Sequence, residues 1–274
     1  MKKQVHFLAT LSLLLGFLAA TAANAAEPRL EGLLGFESYG LREFPFERVV
    51  STTKQLGLDH VEVFTGHIGP ASEPAKIDEA LRLLSAANVK ISAAFVGNVG
   101  ADSKVTRTFF EFARKMSTRV IVVNQIDERG IEGLNKLCEE YPEIRVCFHN
   151  HGPKSQGETL AQVQALLAKT HKNVGACIDT GHVQRSKEDP VVWAKQLKGR
   201  IFGAHLKEYH GHRPLGPGID LALKDFLIAL ADGNFPAYGS IAVEFEGTPK
   251  DPFESIAVSV DYAKKIIAEI NARK

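Results

Sequence analysis

The chain has 274 residues, 45% of them apolar and 24% charged, an ordinary composition for one large globular domain or two small ones. Its net charge of +1 with histidines neutral excludes a strongly basic surface and gives no support to nucleic-acid or anionic-membrane binding. A chain of this size can build a large core, so neither a disulfide framework nor a structural metal is required to hold it.

Residues 1–25 are set aside first. Lys2 and Lys3 open the chain, Phe7 to Ala20 is an apolar run, and Ala23-Asn24-Ala25 has the small residues of a cleavage site. This reads as a secretory signal peptide. The apolar run is short for a bilayer span, and no second stretch of spanning length follows. It contains no cysteine for a lipid anchor. Its removal takes two lysines and no acid, so 33 basic against 32 acidic residues becomes 31 against 32, net −1. The expected mature protein is residues 26–274, periplasmic or secreted, with no membrane anchor.

From residue 30 onward, apolar strand-like runs alternate with helix-period segments. Strands are expected at 30–37, 60–64, 89–96, 119–124, 145–148, 174–179, 200–207 and 240–246. Helices are expected at 45–56, 77–87, from Asp102 or Ser103 to Met116, and at 128–140, 160–169, 190–197, 220–231 and 252–270. Gly57 closes the first helix, Asp102 or Ser103 caps the third, and Pro190 opens the sixth. Eight strictly alternating units argue for a single-domain (β/α)8 TIM barrel. The strands are short unbroken apolar runs, as expected when both faces are buried. An open doubly wound sheet is the competing reading, weakened by the lack of a GxGxxG after the first strand. The irregular stretch Glu208–Ile219, rich in Gly, Pro and His, would lie over the barrel mouth as a substrate loop.

Three cysteines, Cys138, Cys147 and Cys177, leave at least one thiol free. Cys147 and Cys177 share the inward parity of their strands and read as buried small hydrophobes, with a disulfide between them as the alternative.

The chemistry gathers at strand ends. Strand five runs into His149-Asn150-His151, and strand six ends Cys177-Ile178-Asp179-Thr180-Gly181-His182. Strand seven gives His205-Leu206-Lys207-Glu208, and strand eight Glu244-Phe245-Glu246. One strand-end carboxylate is as readily a helix cap as a ligand, and one buried histidine is more often a satisfied core residue. Four consecutive strands ending this way need that bland explanation four times over. One divalent cation explains them together, because it needs several converging N and O ligands. The expected ligands are His149, Asp179, His205 and Glu244. Imidazole and carboxylate without thiolate suit Mn, Co, Zn, Fe or Mg.

Asp-Thr-Gly-His at 179–182, Gly-Arg-Ile at 199–201, His-Leu-Lys-Glu at 205–208, Gly-Pro-Gly-Ile-Asp at 216–220 and Val-Glu-Phe-Glu at 243–246 resemble the xylose isomerase-like TIM barrels. That superfamily of sugar phosphate isomerases and epimerases also holds inosose dehydratase and tagatose-type epimerases. The resemblance implies that Asp179, His205 and Glu244 bind metal. It places His149 where the family usually has a strand-five glutamate, which removes a negative charge and the group that moves a proton in the epimerases. It also implies that His182 lies near the metal, where it contacts substrate or a metal-bound water, and that Lys207 touches substrate, with Glu208 in place of the usual aspartate. Glu62 matches a glutamate common on the family's second strand and is expected either to line the pocket or, equally, to make a structural ion pair. His67, Asn98, Asn124, His210 and Arg213 are further substrate-binding candidates. His151, Glu246 and Lys207 are the candidates for proton transfer.

The resulting expectation is a metal-dependent sugar or keto-sugar isomerase or epimerase, working by proton abstraction next to a carbonyl and a metal-stabilised enediolate. The small-molecule substrate is a carbohydrate. The alternatives are a periplasmic lyase eliminating from 3-keto-glycosides or inosose-type substrates, and a non-catalytic sugar-binding barrel. An endonuclease of the same fold needs more His and acidic ligands than the sequence places, and export and neutral charge argue against it.

Overall fold

The computed structural model describes residues 30–218, 222–248 and 250–272. The segment read as a signal peptide lies outside the described residues. Eight strands form one parallel sheet in the order β1-β8-β7-β6-β5-β4-β3-β2. They are β1 Leu34–Phe36, β2 His60–Val63, β3 Lys90–Val99, β4 Val120–Ile126, β5 Arg145–His149, β6 Val174–Asp179, β7 Ile201–Leu206 and β8 Ser240–Val243. A parallel bridge between Glu37 and Glu62 joins the two ends of the sheet, so it closes into a (β/α)8 TIM barrel.

Around it lie α1 Phe46–Gln55, α2 Pro74–Ala87, α3 Ser103–Lys115, α4 Ile131–Glu140, α5 Leu160–Ala168, α6 Thr180–Arg185, α7 Pro190–Gln196, α8 Leu223–Asp232 and α9 Phe253–Asn271. Their limits follow local chemistry. The Asp102 carboxylate accepts from Lys104 N at 2.8 Å and caps α3, which turns Phe109, Phe110 and Ala113 inward and ends on Arg114 and Lys115 against the negative pole of the helix. Asn88 takes a left-handed conformation (φ 50°) to stop α2. Pro190 sits in the first turn of α7, whose cap Asp189 accepts from Val191 N at 2.8 Å.

Three features depart from the sequence reading. Residues 30–33 form a 3-10 turn, so the first strand is only Leu34–Phe36. The short helix α6 follows β6 directly, a turn the sequence reading leaves irregular. Strand β8 ends at Val243, which leaves Glu244 and Glu246 just beyond it at the barrel mouth.

The main core fills the space between sheet and helices. A second cluster of Ala93, Val120, Val122, Cys147, Cys177 and Phe202 is built from inward-facing strand residues and fills the barrel interior beneath the mouth. All three cysteines are buried and free, so the alternative Cys147–Cys177 disulfide is not formed. Burial pushes the Cys138 thiol up to about 12 and the Cys177 thiol up to about 11. All three should therefore stay protonated and unreactive toward Ellman's reagent at pH 8, and three should titrate after unfolding in guanidinium without reductant. Fewer than three after unfolding would show an oxidised pair.

Candidate metal centre

The parallel register puts the strand tips side by side. His149 pairs with Cys177, Asp179 with His205, and His205 with Ala242, two residues before Glu244. The ladder continues past β8, since Glu244 N donates to Leu206 O at 3.1 Å. One ligand atom from each of His149, Asp179, His205 and Glu244 falls within 4.8 Å of all the others.

Asp179 does two jobs. Its Oδ1 accepts from His182 N at 2.7 Å and caps α6. Its Oδ2 points inward, 3.4 Å from His149 Nε2 and 2.7 Å from Lys207 Nζ. The sequence leaves open whether this carboxylate is a cap or a ligand; its geometry serves both. Neighbours hold it in place. Asn150 Oδ1 accepts from Asp179 N at 2.9 Å, tying the β5 tip to the end of β6. Thr180 Oγ1 accepts from Lys207 N at 3.0 Å and donates to Lys207 O at 2.9 Å, pinning the end of β7. Gly181 is required because a Cβ there would sit 2.6 Å from Glu208 O.

His205 lies between two carboxylates, with Nε2 2.8 Å from Glu62 Oε1 and Nδ1 2.7 Å from Glu244 Oε2. Burial opposes its charged form, yet the acids around it hold its pKa well above that of a free imidazole. Glu62 is itself fully buried, and Ser240 Oγ donates to its other oxygen at 3.0 Å. Of the two roles expected for Glu62, the structure shows the ion pair: it stands behind His205 and orients the ring.

Lys207 is fully buried. Its ammonium reaches Asp179 at 2.7 Å, and Glu244 and Glu246 at 3.1 Å each. Burial disfavours this charge, but the three carboxylates drive its pKa above that of a free lysine. Grouped above with the proton-transfer candidates, Lys207 is a fixed cation that keeps its proton. In return, although burial alone would raise both acids, Lys207 holds Glu244 down to about 2 and Asp179 well below the usual carboxylate range. Burial takes His149 down to about 3 and His182 to about 4, so both rings are neutral at pH 7.

The donor set fits a divalent cation. His149 Nδ1 and Nε2 are buried without a hydrogen-bond partner, and such orphaned atoms are rare unless something else satisfies them; Asp179 Oδ2 is held by its ion pair with Lys207 at 2.7 Å. Ligand atoms each about 2.1 Å from one ion lie at most about 4.2 Å apart. The observed limit of 4.8 Å exceeds this, so the ligands would draw inward around an ion. With Glu62 on Nε2, His205 would turn Nδ1 to the ion.

A cavity of about 210 Å³ opens above these residues. Of the expected site residues, Asn124, His151, His182 and Glu246 line it beside the ligands. Others lie elsewhere. The His67 ring nitrogen Nε2 pairs with Ser38 O at 3.1 Å, away from the cavity. Asn98 is exposed on a separate groove with Gln125 and Asp127. His210 and Arg213 line a neighbouring hollow of about 460 Å³, where Arg213 ion-pairs with the buried Glu208. The cavity also holds Glu37, Tyr39, Phe64 and Phe95, which the sequence reading passes over. For Glu37 the signal was present: an acid straight after the apolar run Leu34-Gly35-Phe36, the same arrangement as Asp179 after Ile178. Burial first, then the nearby Glu244, raises its carboxyl well above the usual range.

The family model described as xylose isomerase-like TIM barrel matches residues 50–266. The inosose dehydratase of Clostridium botulinum is 31% identical over 121 residues, 42% of this chain and 38% of that protein. The chain thus spans about two-fifths of the length of the curated relatives it matches. Among solved structures, a sugar phosphate isomerase/epimerase from Parabacteroides distasonis superposes with a TM-score of 0.70 at 16% identity, covering 91% of this chain and 98% of that one. D-Psicose 3-epimerase of Clostridium cellulolyticum superposes with a TM-score of 0.64 at 16% identity, covering 88% and 98%. At these identities the structural likenesses concern the fold.

Asp179→Asn keeps an oxygen to cap α6 but removes the inward anion. It should leave the far-UV circular dichroism unchanged and the metal content, by inductively coupled plasma mass spectrometry, near zero. An Asn variant that retains its metal would refute the ligand set. Glu62→Gln should weaken metal affinity by about 10–100-fold in calorimetric titration. Lys207→Met leaves buried carboxylates unpaired and should cost the metal-free protein about 3–5 kcal/mol in urea unfolding. The sign with pH follows from Glu244 and Asp179 titrating lower when folded. Their contribution is complete above the unfolded carboxylate pKa of about 4 and is lost as pH falls toward 2. Wild type should therefore lose more stability than Lys207→Met between pH 5 and 2.

Proposed function

This chain belongs to the xylose isomerase-like TIM barrel family, and from that premise we propose that it is a divalent-metal-dependent enzyme that isomerises or epimerises a sugar or keto-sugar. The observation that carries the reading is the convergence of His149, Asp179, His205 and Glu244, three of which (His149, His205 and Glu244) line a small cavity whose walls offer both polar and aromatic side chains. That combination suits a polyhydroxylated ring or chain.

A bound ion would be held by those four residues and would supply the Lewis acidity that makes a carbon-bound proton beside a carbonyl removable. The remaining steps belong to the chain's own side chains. His151 sits in the cavity with its ring 4.7 Å from that of His149 and 4.8 Å from that of His182. Burial lowers its pKa, so the neutral ring can accept a proton near pH 7. Glu246 presents a second carboxylate to the cavity, held by Lys207 at 3.1 Å and by Arg185 at 3.6 Å. Lys207 keeps Asp179 and Glu244 ionised and offers positive charge to oxygens that become negative during reaction.

Elimination is the second reading. The curated relatives are inosose dehydratases, and His149 stands where the resemblance expects the glutamate of a two-glutamate epimerase. Export, expected from residues 1–25, favours free sugars, oxidised sugars or 3-keto-glycosides as substrates over sugar phosphates.

Metal-loaded protein incubated with keto-sugars and glycosides in deuterated water, followed by NMR, tests the reading. Deuterium at one carbon with a rearranged product is expected for isomerisation or epimerisation, and an unsaturated product for elimination. Tight metal and bound sugar with no exchange in any substrate would leave a sugar-binding barrel.

A further inference from the structure

The four ligand-bearing strands β5–β8 occupy one half of the barrel mouth. Each flanking strand carries an oxygen that the protein leaves without a partner. On β4 it is Oδ1 of Asn124. Just past β1 it is Oε1 of Glu37. Both side chains line the cavity that holds the ligands.

Glu37 is the more constrained of the two. Its backbone N donates to Val243 O at 2.8 Å, and its Oε2 accepts from Tyr39 N at 2.7 Å. The residue is 2% exposed. The carboxyl is therefore pinned with Oε1 left over. The Tyr39 contact alone does not explain a glutamate, because shorter Asp, Asn or Ser side chains cap turns as well. A buried, unsatisfied oxygen costs about 1–3 kcal/mol, which selects for a partner supplied by whatever fills the cavity.

We propose that Glu37 is a substrate-contacting residue that sets specificity: its Oε1 hydrogen-bonds a hydroxyl of a polyhydroxylated ketone whose carbonyl end faces His149, Asp179, His205 and Glu244. The inference rests on the reading given under Proposed function and narrows its substrate class. It holds in either protonation state, since a carboxyl O–H donates to a hydroxyl and a carboxylate accepts from one. Asn124 brackets the opposite side of the same ligand. Between them, Tyr39, Phe64 and Phe95 give the apolar wall against which C–H faces of a sugar pack. A ligand so placed is selected by its hydroxyl pattern, and an analogue lacking the recognised hydroxyl leaves Oε1 unpaired again.

The test uses the metal-loaded full chain and a panel of ketohexoses, D-fructose and D-tagatose among them, with their monodeoxy derivatives. Binding is read by calorimetry and proton exchange by NMR in deuterated water. Wild type should bind at least one parent ketose and discriminate against one of its monodeoxy derivatives by about 100-fold or more. Glu37→Ala should lose about 100-fold toward the parent but less than about 3-fold toward that deoxy sugar, so that discrimination collapses. Glu37→Gln, which can still accept from Tyr39 N and bond a hydroxyl, should recover to within about tenfold. Metal content should be unchanged in both variants. Equal losses toward parent and deoxy sugars would assign Glu37 a structural role and overturn the proposal, as would the absence of any binding or of any deoxy discrimination in wild type. The wild-type discrimination needs no variant to fold. Glu37-dependent binding without exchange would refute catalysis and uphold the recognition; exchange that ignores Glu37 would do the reverse.

Discussion

The buried ammonium of Lys207 is the contact on which the mouth of this barrel depends. Asp179 and Lys207 are fully buried and Glu244 nearly so, and carboxylates in such surroundings persist as anions only beside compensating charge. Lys207 supplies that charge to three acids at once, while the imidazole of His205 bridges Glu62 and Glu244. The result is a site kept ionised and preorganised before any ion or substrate arrives. The acids that would bind a cation are poised by another cation at hydrogen-bond distance, so loading the site would mean sharing those oxygens between Lys207 and the ion.

The barrel was legible because its periodicities are strong. Strands buried on both faces read as short apolar runs, and helices such as α3 bury one stripe between charged flanks. Register then carried the fold to the site without further information. Once β5 to β8 are parallel neighbours, their C-terminal tips must meet, and the family match over residues 50–266 agrees with that frame. Element limits were less legible, because they depend on local hydrogen bonds. The cap made by Asp179 creates α6 from a segment with too few residues to show a period, and β1 is cut short by a 3-10 turn of similar composition.

Which face a polar side chain serves was the hardest to read. Parity says that Glu62 points inward, but not that it stops behind His205 at a depth no substrate reaches. The sequence shows a lysine after strand seven, but not that three acids from β6 and the end of β8 surround it. Asn98 lies near the end of its strand as Asn124 does, yet the two open onto different hollows, and the register between β3 and β4 shifts at Gly97. Such assignments depend on distances across the barrel, which no stretch of sequence encodes by itself.

His149 differs from its partner His205 in one respect. Nothing among the described residues braces it from behind: Nδ1 lacks a hydrogen-bond partner, and the edge-on ring of Phe95, at 5.6 Å between centroids, is its neighbour on the β4 side. A histidine ligand with a braced rear nitrogen is locked to one tautomer and one tilt, and that rigidity adds roughly 10–100-fold to metal affinity. His149 is held by ring packing instead, so this corner of a coordination shell would be the more compliant one. A compliant corner accepts ions of different radius and preferred geometry with little selectivity and lets them exchange readily. The occupant would then be set by the supply of metals in the compartment rather than by the protein.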